Sequence, residues 1–176
     1  MCKATILLIV GIFAAVQAVP YTYDTEYTWV TGNLSVAVPA NAVIGGFDPY
    51  GYYSYVGRVA YSSNILPARV VAETGLAHFN TATISHKLVN YHLLVTQSNV
   101  TYEWIRSFDG YQEKNAISVG TTGWNERVFI CRAKADGGLL IGTLFRSKQA
   151  CIIKSGDLPL RQFDKYETLV ARNNSC

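Results

Sequence analysis

An internal repeat constrains this chain more than any other feature of its sequence. An offset of 74 residues aligns Tyr55-Val56-Gly57-Arg58 with Phe129-Ile130-Cys131-Arg132, and an offset of 75 aligns Trp29 with Trp104. Ordered matches over most of a chain indicate duplication of one unit. We therefore predict two tandem copies, over residues 29–97 and 98–172, with an N-terminal segment at 19–28 and a short tail at 173–176.

Each copy has the pattern of antiparallel β structure. Short runs rich in Val, Ile, Tyr and Thr are separated by Gly, Pro, Asn and Asp, and no stretch has useful helical periodicity. Asp48-Pro49-Tyr50-Gly51 has the Pro and Gly of a tight turn before a predicted strand at 52–60, and Asp136-Gly137-Gly138 follows the equivalent strand. A unit of about seventy residues is marginal alone. We expect an all-β fold in which the two repeats pack around a pseudo-twofold axis as an antiparallel, sandwich-like body.

Two arginines are matched by the repeat. Arg58 and Arg132 each end an apolar strand that the alignment superposes. We expect them to form structural ion pairs or to bind backbone, and we assign them no ligand role.

The first eighteen residues have the organisation of a signal peptide. Lys3 is the positive residue, 6–16 are apolar, and Val16-Gln17-Ala18 is a small-residue cleavage site. No later run is long enough for a spanning helix. We expect a secreted, extracellular protein with no transmembrane segment. In a secretory pathway that glycosylates, the sequons at Asn33, Asn99 and Asn173 become N-glycosylation sites.

The charge balance argues against nucleic acid as a partner. Without the signal peptide, 14 basic residues stand against 12 acidic ones, whereas binding to nucleic acid depends on neutralising many phosphates. Residues 98–176 hold eleven of these bases and eight acids. An acidic glycan or headgroup would prefer that half, and an ordinary solvated surface is the alternative explanation.

The cysteines become informative once the repeat is known. Cys131 and Cys151 occupy positions that are Gly57 and Ala77 in the first copy. Two cysteines gained in one repeat of an exported protein predict a Cys131–Cys151 disulfide, with two buried unpaired thiols as the alternative. Cys176 has no partner in this pairing. It could link two chains, or it could pair with Cys131 or Cys151.

The order of the motifs resembles the DM9 repeat family of invertebrates. The motifs are Asn-Ala-Val-Ile-Gly-Gly-Phe-Asp, Tyr-Val-Gly-Arg, Leu-Pro-Ala-Arg and a closing Tyr-x-Leu-Leu-Val, and together they span nearly all of the mature chain. That family includes mannose-binding lectins of immune recognition and insect proteins induced in gut or salivary tissue by parasites. The resemblance implies a calcium-independent lectin that binds mannose-type glycans on microbial or host surfaces, acting as a homodimer.

The resemblance also implies a sugar site. Lectin members hold sugar with the acid that closes a Gly-aromatic-Asp triplet and with the base of a Pro-Gly-Lys segment, positions that fall here on Asp48 and Arg69. A carboxylate accepts hydrogen bonds from sugar hydroxyls and a cation donates to their oxygens. Tyr50 and Tyr52, beside Asp48, are candidates for stacking on the sugar ring. The alternatives are turn hydrogen bonds for Asp48, a solvated strand-end charge for Arg69, and packing for the tyrosines.

Two departures from the family pattern weaken this transfer. Arg69 stands where the family has Lys, which replaces a point charge by a planar fork. The second copy has Thr122 and Thr143 in place of the acid and the base. With one intact site per chain, useful avidity would require dimers or larger assemblies.

No pattern indicates catalysis, a cofactor or a metal. His78, His86 and His92 lack the spacing of a zinc site, and no acidic cluster has calcium-loop spacing. No nucleophile elbow, phosphate loop or dinucleotide fingerprint occurs. We therefore expect a protein that is not an enzyme. The alternative to a lectin is a non-catalytic interaction or scaffold protein of the same fold with protein or membrane partners, and Thr122 and Thr143 are its best hint.

Overall fold

The computed structural model describes residues 21–173. The predicted signal peptide and Cys176 lie outside this range. Over the described range the chain forms fourteen β-strands and one short 3-10 turn, Arg146–Lys148, with no α-helix. No helix there has the length and apolar character needed to cross a membrane.

The strands fall into two sets of seven that succeed one another along the chain. The first set is β1 (Trp29–Gly32), β2 (Ile44–Phe47), β3 (Tyr53–Tyr61), β4 (Asn64–Val71), β5 (Leu76–Asn80), β6 (Ser85–Leu88) and β7 (Tyr91–Leu94). The second set is β8 (Val100–Phe108), β9 (Ser118–Thr121), β10 (Arg127–Ala135), β11 (Gly138–Phe145), β12 (Ala150–Ile153), β13 (Arg161–Phe163) and β14 (Lys165–Asn173).

Strand pairing repeats between the two sets, and every pair is antiparallel. In the first set, β3 pairs with β2, β4 and β7, while β4–β5, β5–β6 and β1–β7 complete the network. In the second set, β10 pairs with β9, β11 and β14, and the pairs β11–β12, β12–β13 and β8–β14 complete it. Each pairing recurs seven strands later. The predicted all-β architecture of two tandem repeats is confirmed.

The two repeats join at two glycines that occupy the same repeat position. β2 pairs with β11 where Phe47 lies opposite Leu139, so that one fourteen-stranded sheet runs through both repeats. A Cβ at Gly46 would lie 2.0 Å from the carbonyl oxygen of Leu139, and a Cβ at Gly120 would lie 2.9 Å from the Cβ of Ile65. The same offset of 74 residues relates both pairs. This reciprocal contact is the signature of the pseudo-twofold axis.

One hydrophobic core is shared by both repeats. Fully buried side chains from each repeat meet in it, among them Val56, Ile65, Leu66, Ile117, Ile130 and Ile152. A second cluster belongs to the second repeat alone and contains a disulfide between Cys131 and Cys151. The predicted disulfide is confirmed, and the alternative of two free thiols is wrong.

The segment before β1 pairs with the second repeat, a contact that the sequence repeat does not predict. Tyr23 forms a β-bridge with Gly120, and the Asp24 N–H donates to the carbonyl of Val119 at 3.2 Å. The N-terminal segment therefore lies beside β9 of the second repeat. In this position Tyr23 and Asp24 contact Arg58.

Arg58 and Arg132 have the structural roles expected of them. Arg58 Nη1 donates to the carbonyl of Asp24 at 2.5 Å, and its guanidinium lies 4.4 Å from the ring centroid of Trp29. Arg132 Nε pairs with Glu167 at 2.7 Å, and its guanidinium lies 4.1 Å from the centroid of Trp104. Burial lowers the pKa of Arg58 to about 10, so the group is still a cation at neutral pH.

Candidate functional site

A cleft of about 320 Å³ opens where the first repeat meets the second. Strands β4, β5 and β6 of the first repeat form most of its wall, and β11 and the loop after β12 close it from the second repeat. The residues that line it are Arg69, His78, Phe79, Asn80, Ser85, His86, Lys87, Ile141, Lys154, Gly156 and Asp157. Neither repeat could form this cleft alone.

Arg69 is the buried charge of this cleft. It lies in β4, opposite Val56 of β3 and His78 of β5, and only 8% of the residue is exposed. Within residues 21–173 its guanidinium has neither a hydrogen bond nor an ion pair. Burial lowers the pKa of Arg69, and the charge of Asp48 acts in the opposite direction. None of its nitrogens is among the fully buried side-chain atoms without a partner, so the guanidinium reaches the cleft, where water or a ligand supplies its acceptors.

Asp48 shapes the turn that precedes β3. Its Oδ1 accepts hydrogen bonds from the N–H groups of Tyr50 at 2.9 Å and Tyr52 at 3.0 Å. The Gly51 N–H donates to the carbonyl of Asp48, and Gly51 has a φ of +88°. Asp48 therefore makes the hydrogen bonds within the turn that were the alternative to a sugar-binding role. Both bonds use Oδ1, and across the described range Oδ2 accepts no hydrogen bond.

The second repeat builds the same turn without a carboxylate. Thr122 Oγ1 accepts from the N–H groups of Trp124 at 3.3 Å and Glu126 at 3.2 Å, and the Asn125 N–H donates to the Thr122 carbonyl at 2.9 Å. These bonds match those of Asp48 position by position. The turn therefore requires only an oxygen acceptor, and what Asp48 adds is a negative charge and a second oxygen.

The structure divides the predicted sugar residues between two neighbouring places. Asp48, Tyr50 and Tyr52 belong to the turn, where Tyr50 is 86% exposed and Tyr52 is also exposed. Arg69 belongs to the cleft, whose lining does not include these three residues. The turn is near enough for the charge of Asp48 to act on the pKa of Arg69, but the two form no ion pair.

Most residues of the cleft wall were not predicted from the sequence to form a site. Arg69 lies opposite His78 in the β4–β5 pair, and His78 lies opposite Lys87 in the β5–β6 pair, so the three form one row across three strands. Burial, then Arg69 and Lys87, lowers the pKa of His78 to about 4, which leaves its imidazole neutral at neutral pH. Arg69, His78 and Lys87 follow one another at intervals of nine residues. In three strands joined by two hairpins, this regular spacing could have predicted the row.

The equivalent of Arg69 in the second repeat has a different role. Thr143 is fully buried, and its Oγ1 donates to the carbonyl of Asn80 at 3.3 Å. Its hydroxyl is therefore used in the contact between repeats. With Thr122 held in its turn, the acid and base of a second sugar site are both absent, as the sequence indicated.

The predicted glycosylation sites lie at the surface to different degrees. Asn99 and Asn173 are exposed, whereas Asn33 is half-buried and its Oδ1 accepts the Ser35 N–H at 2.8 Å. Glycosylation at the three sites stays a prediction. In the part of the chain that the structure describes, no three His, Cys, Asp or Glu side chains are grouped so as to hold a metal ion.

The turn and the cleft both lie in a stretch that matches a known family. The family model described as DM9 repeat matches residues 48–162. This chain belongs to the DM9 repeat family. Comparison of the DM9 chain with curated proteins finds no match.

A solved structure has the same fold as this DM9 protein. It is that of the nematode sperm cell motility protein MFP2B, with a TM-score of 0.64 and 12% sequence identity. The match covers 90% of the DM9 chain and 50% of the MFP2B chain, so the DM9 chain spans about half the length of that protein. At this identity the likeness shows the fold alone.

Proposed function

We propose that this DM9 protein is a secreted lectin of innate or parasite recognition that binds mannose-type sugar at Asp48 and Arg69 without calcium. The observation that carries the proposal is the state of Arg69, a buried cation that lines an open cleft and has no acceptor among the described residues. The cleft volume is in the range of sites for small ligands. Resemblance to the lectin members of the DM9 family supplies the class of sugar.

The two charges offer complementary chemistry to a hexose. Arg69 has five donors in a planar fork, and Asp48 Oδ2 is an acceptor that the turn does not use. Hydrogen bonds with one charged partner are about twice as strong as neutral ones. The exposed ring of Tyr50 and the neighbouring Tyr52 offer apolar faces for the sugar ring.

A single site per chain implies assembly. Thr122 and Thr143 leave the second repeat without the acid and the base, and single-sugar contacts are weak. Presentation of two or more chains to one surface raises avidity by orders of magnitude without new contacts. We therefore include a homodimer in the proposal.

The test replaces Asp48 by threonine, the residue at the equivalent position of the second repeat. Asp48→Thr removes the charge and the second oxygen, while Thr122 shows that threonine satisfies the same turn. The wild-type protein should be retained on mannose resin in the presence of a chelator. Asp48→Thr should weaken binding at least about tenfold, the equivalent of about 1.4 kcal/mol. Thr122→Ser, at the same position of the second repeat, should bind as the wild type does.

A second variant separates loss of a ligand contact from loss of fold. Arg69→Met keeps the length of the side chain and removes its donors, so it should abolish retention while the thermal unfolding temperature does not fall. Absence of wild-type binding to every sugar of a glycan array would overturn the proposal. Wild-type affinity in both Asp48→Thr and Arg69→Met would overturn the assignment of the site.

One observation favours a different function. Trp124 occupies the position of Tyr50 in the second repeat and is 94% exposed. An exposed tryptophan at a turn is typical of contact with a protein or membrane partner, which agrees with an interaction or scaffold role. Partner capture that mannose does not compete and that Trp124→Ser abolishes would favour this role over the lectin.

A further inference from the structure

The wall of the cleft places positive charges side by side. Arg69, His78 and Lys87 are cross-strand neighbours in one row, and no carboxylate lies within that row. Like charges on facing strand positions destabilise a sheet. The neutral state of His78 lessens the repulsion, but Arg69 and Lys87 still flank it as cations.

The second repeat adds a further cation from the opposite side. Lys154 follows β12 and lines the cleft, and its Nζ donates to the carbonyl of Leu158, which anchors the ammonium group at the rim. Asp157 is the one carboxylate of the lining, and it is exposed. Three cations thus line the cleft from two repeats against one acid of its lining, and Asp48 of the neighbouring turn adds a second negative charge that acts on Arg69.

We infer that the preferred ligand of this cleft is a sugar that carries a negative charge, as a phosphate or carboxylate substituent. This inference rests on the proposed function and specifies its ligand class. An anion between Arg69, Lys87 and Lys154 supplies the acceptors that the described residues do not give the guanidinium of Arg69, and it offsets the repulsion along the row. A guanidinium binds phosphate or carboxylate groups through two parallel hydrogen bonds. Such binding would explain why Arg69 stands where the family has lysine.

The remaining polar groups fit the uncharged part of such a ligand. Asn80 and Ser85 line the same cleft and can exchange hydrogen bonds with hydroxyls, as can the carboxylate of Asp157. The cleft is therefore not a general phosphate site, and a free anion should occupy it more weakly than a charged sugar does.

The inference is tested by titrating the full secreted chain with mannose, mannose 6-phosphate, glucuronate and inorganic phosphate, with calorimetry as readout. Mannose 6-phosphate and glucuronate should each bind at least about tenfold more tightly than mannose at low salt. Raising the salt concentration should reduce this advantage because ions screen the cations at the rim.

Two variants, one that removes a positive charge and one that removes a negative charge, test whether binding depends on the charges of the cleft. Lys154→Gln should lower the ratio of mannose 6-phosphate affinity to mannose affinity by about threefold, the scale of one exposed charge pair. Asp157→Asn should raise the same ratio by a similar factor, since it removes the one acid of the lining. Lys114→Gln changes an exposed lysine outside the cleft and should leave the ratio unchanged.

The outcomes separate this inference from the proposed function. Binding of mannose with no advantage for either charged sugar overturns the inference and leaves the lectin intact. Failure of all the sugars to bind overturns both. Inorganic phosphate that binds as tightly as mannose 6-phosphate overturns the assignment to a charged sugar, because the cleft would then recognise only the anion.

Discussion

Arg132 donates a hydrogen bond from Nη1 to the backbone carbonyl of Gly45, 3.0 Å away in the other repeat. Arg58 makes the counterpart bond to the carbonyl of Val119, at 3.3 Å. An offset of 74 residues relates both the donors and the acceptors. Each repeat thus provides an arginine that satisfies a carbonyl of the other, so the two copies stabilise each other reciprocally.

The arginine contacts predict a large cost for a conservative change. Arg58→Lys keeps the charge but loses the planar group that lies over Trp29 and binds two carbonyls. We expect the free energy of unfolding to fall by about 2 kcal/mol, measured by urea denaturation. Arg127→Lys is the matched control, since the Arg127 side chain is exposed where it pairs with Asp24, and it should cost less than about 1 kcal/mol. Equal losses in the two variants would contradict the role given to Arg58.

The junction of the repeats predicts intolerance at Gly46. Gly46→Ala would bring a methyl group to within 2.0 Å of the Leu139 carbonyl oxygen, so backbone must move. We expect the free energy of unfolding to fall by about 3 kcal/mol. Gly137→Ala has open space around its Cβ but a φ of +83°, and should cost about 1–2 kcal/mol through backbone strain alone. A smaller loss at Gly46 than at Gly137 would show that the junction is easily displaced.

The disulfide predicts a stability difference without a change of fold. Cys131→Ala combined with Cys151→Ala opens a loop with a sequence separation of 20 residues, which should lower the free energy of unfolding by about 3 kcal/mol. The corresponding fall in Tm is roughly 6–12 °C. The strand pairing should survive, since Gly57 and Ala77 hold the same positions in the first repeat. An unchanged melting curve would mean that the bond contributes nothing to stability.

The sequence predicted those features that the duplication or a local turn determines. Every strand pair within a repeat occurs twice, and the match of the two copies predicted the structural roles of Arg58 and Arg132. The Asp48 turn was readable from its Pro and Gly, since these residues act on their own backbone.

The cleft was not predictable in the same way. Lys154 and Asp157 line the same cleft as Arg69 from a loop of the other repeat, and this arrangement depends on how the repeats pack. Tyr23 precedes the first copy and has no repeat partner that would have indicated its contact with β9. Asp48 and Arg69 were predicted as site residues from a family resemblance. A resemblance assigns residues to a motif, but it does not give their hydrogen bonds or the cleft that they line.

His78 predicts how stability depends on pH. Its pKa of about 4 in the folded protein lies below the ordinary value of 6.5, so between these values the unfolded chain binds a proton that the folded one does not. Stability from this group is therefore complete above pH 6.5 and is lost as the pH falls towards 4, by about 3 kcal/mol. His78→Gln should flatten that part of the pH profile, measured by urea denaturation, whereas His86→Gln should retain it because His78 is still present. Burial is the largest cause of the low pKa, and Arg69 and Lys87 are the other two. A bound anion would offset these two charges, so the NMR titration of His78 should move to higher pH when mannose 6-phosphate is added. A titration that the charged sugar leaves unmoved would place the ligand away from this row.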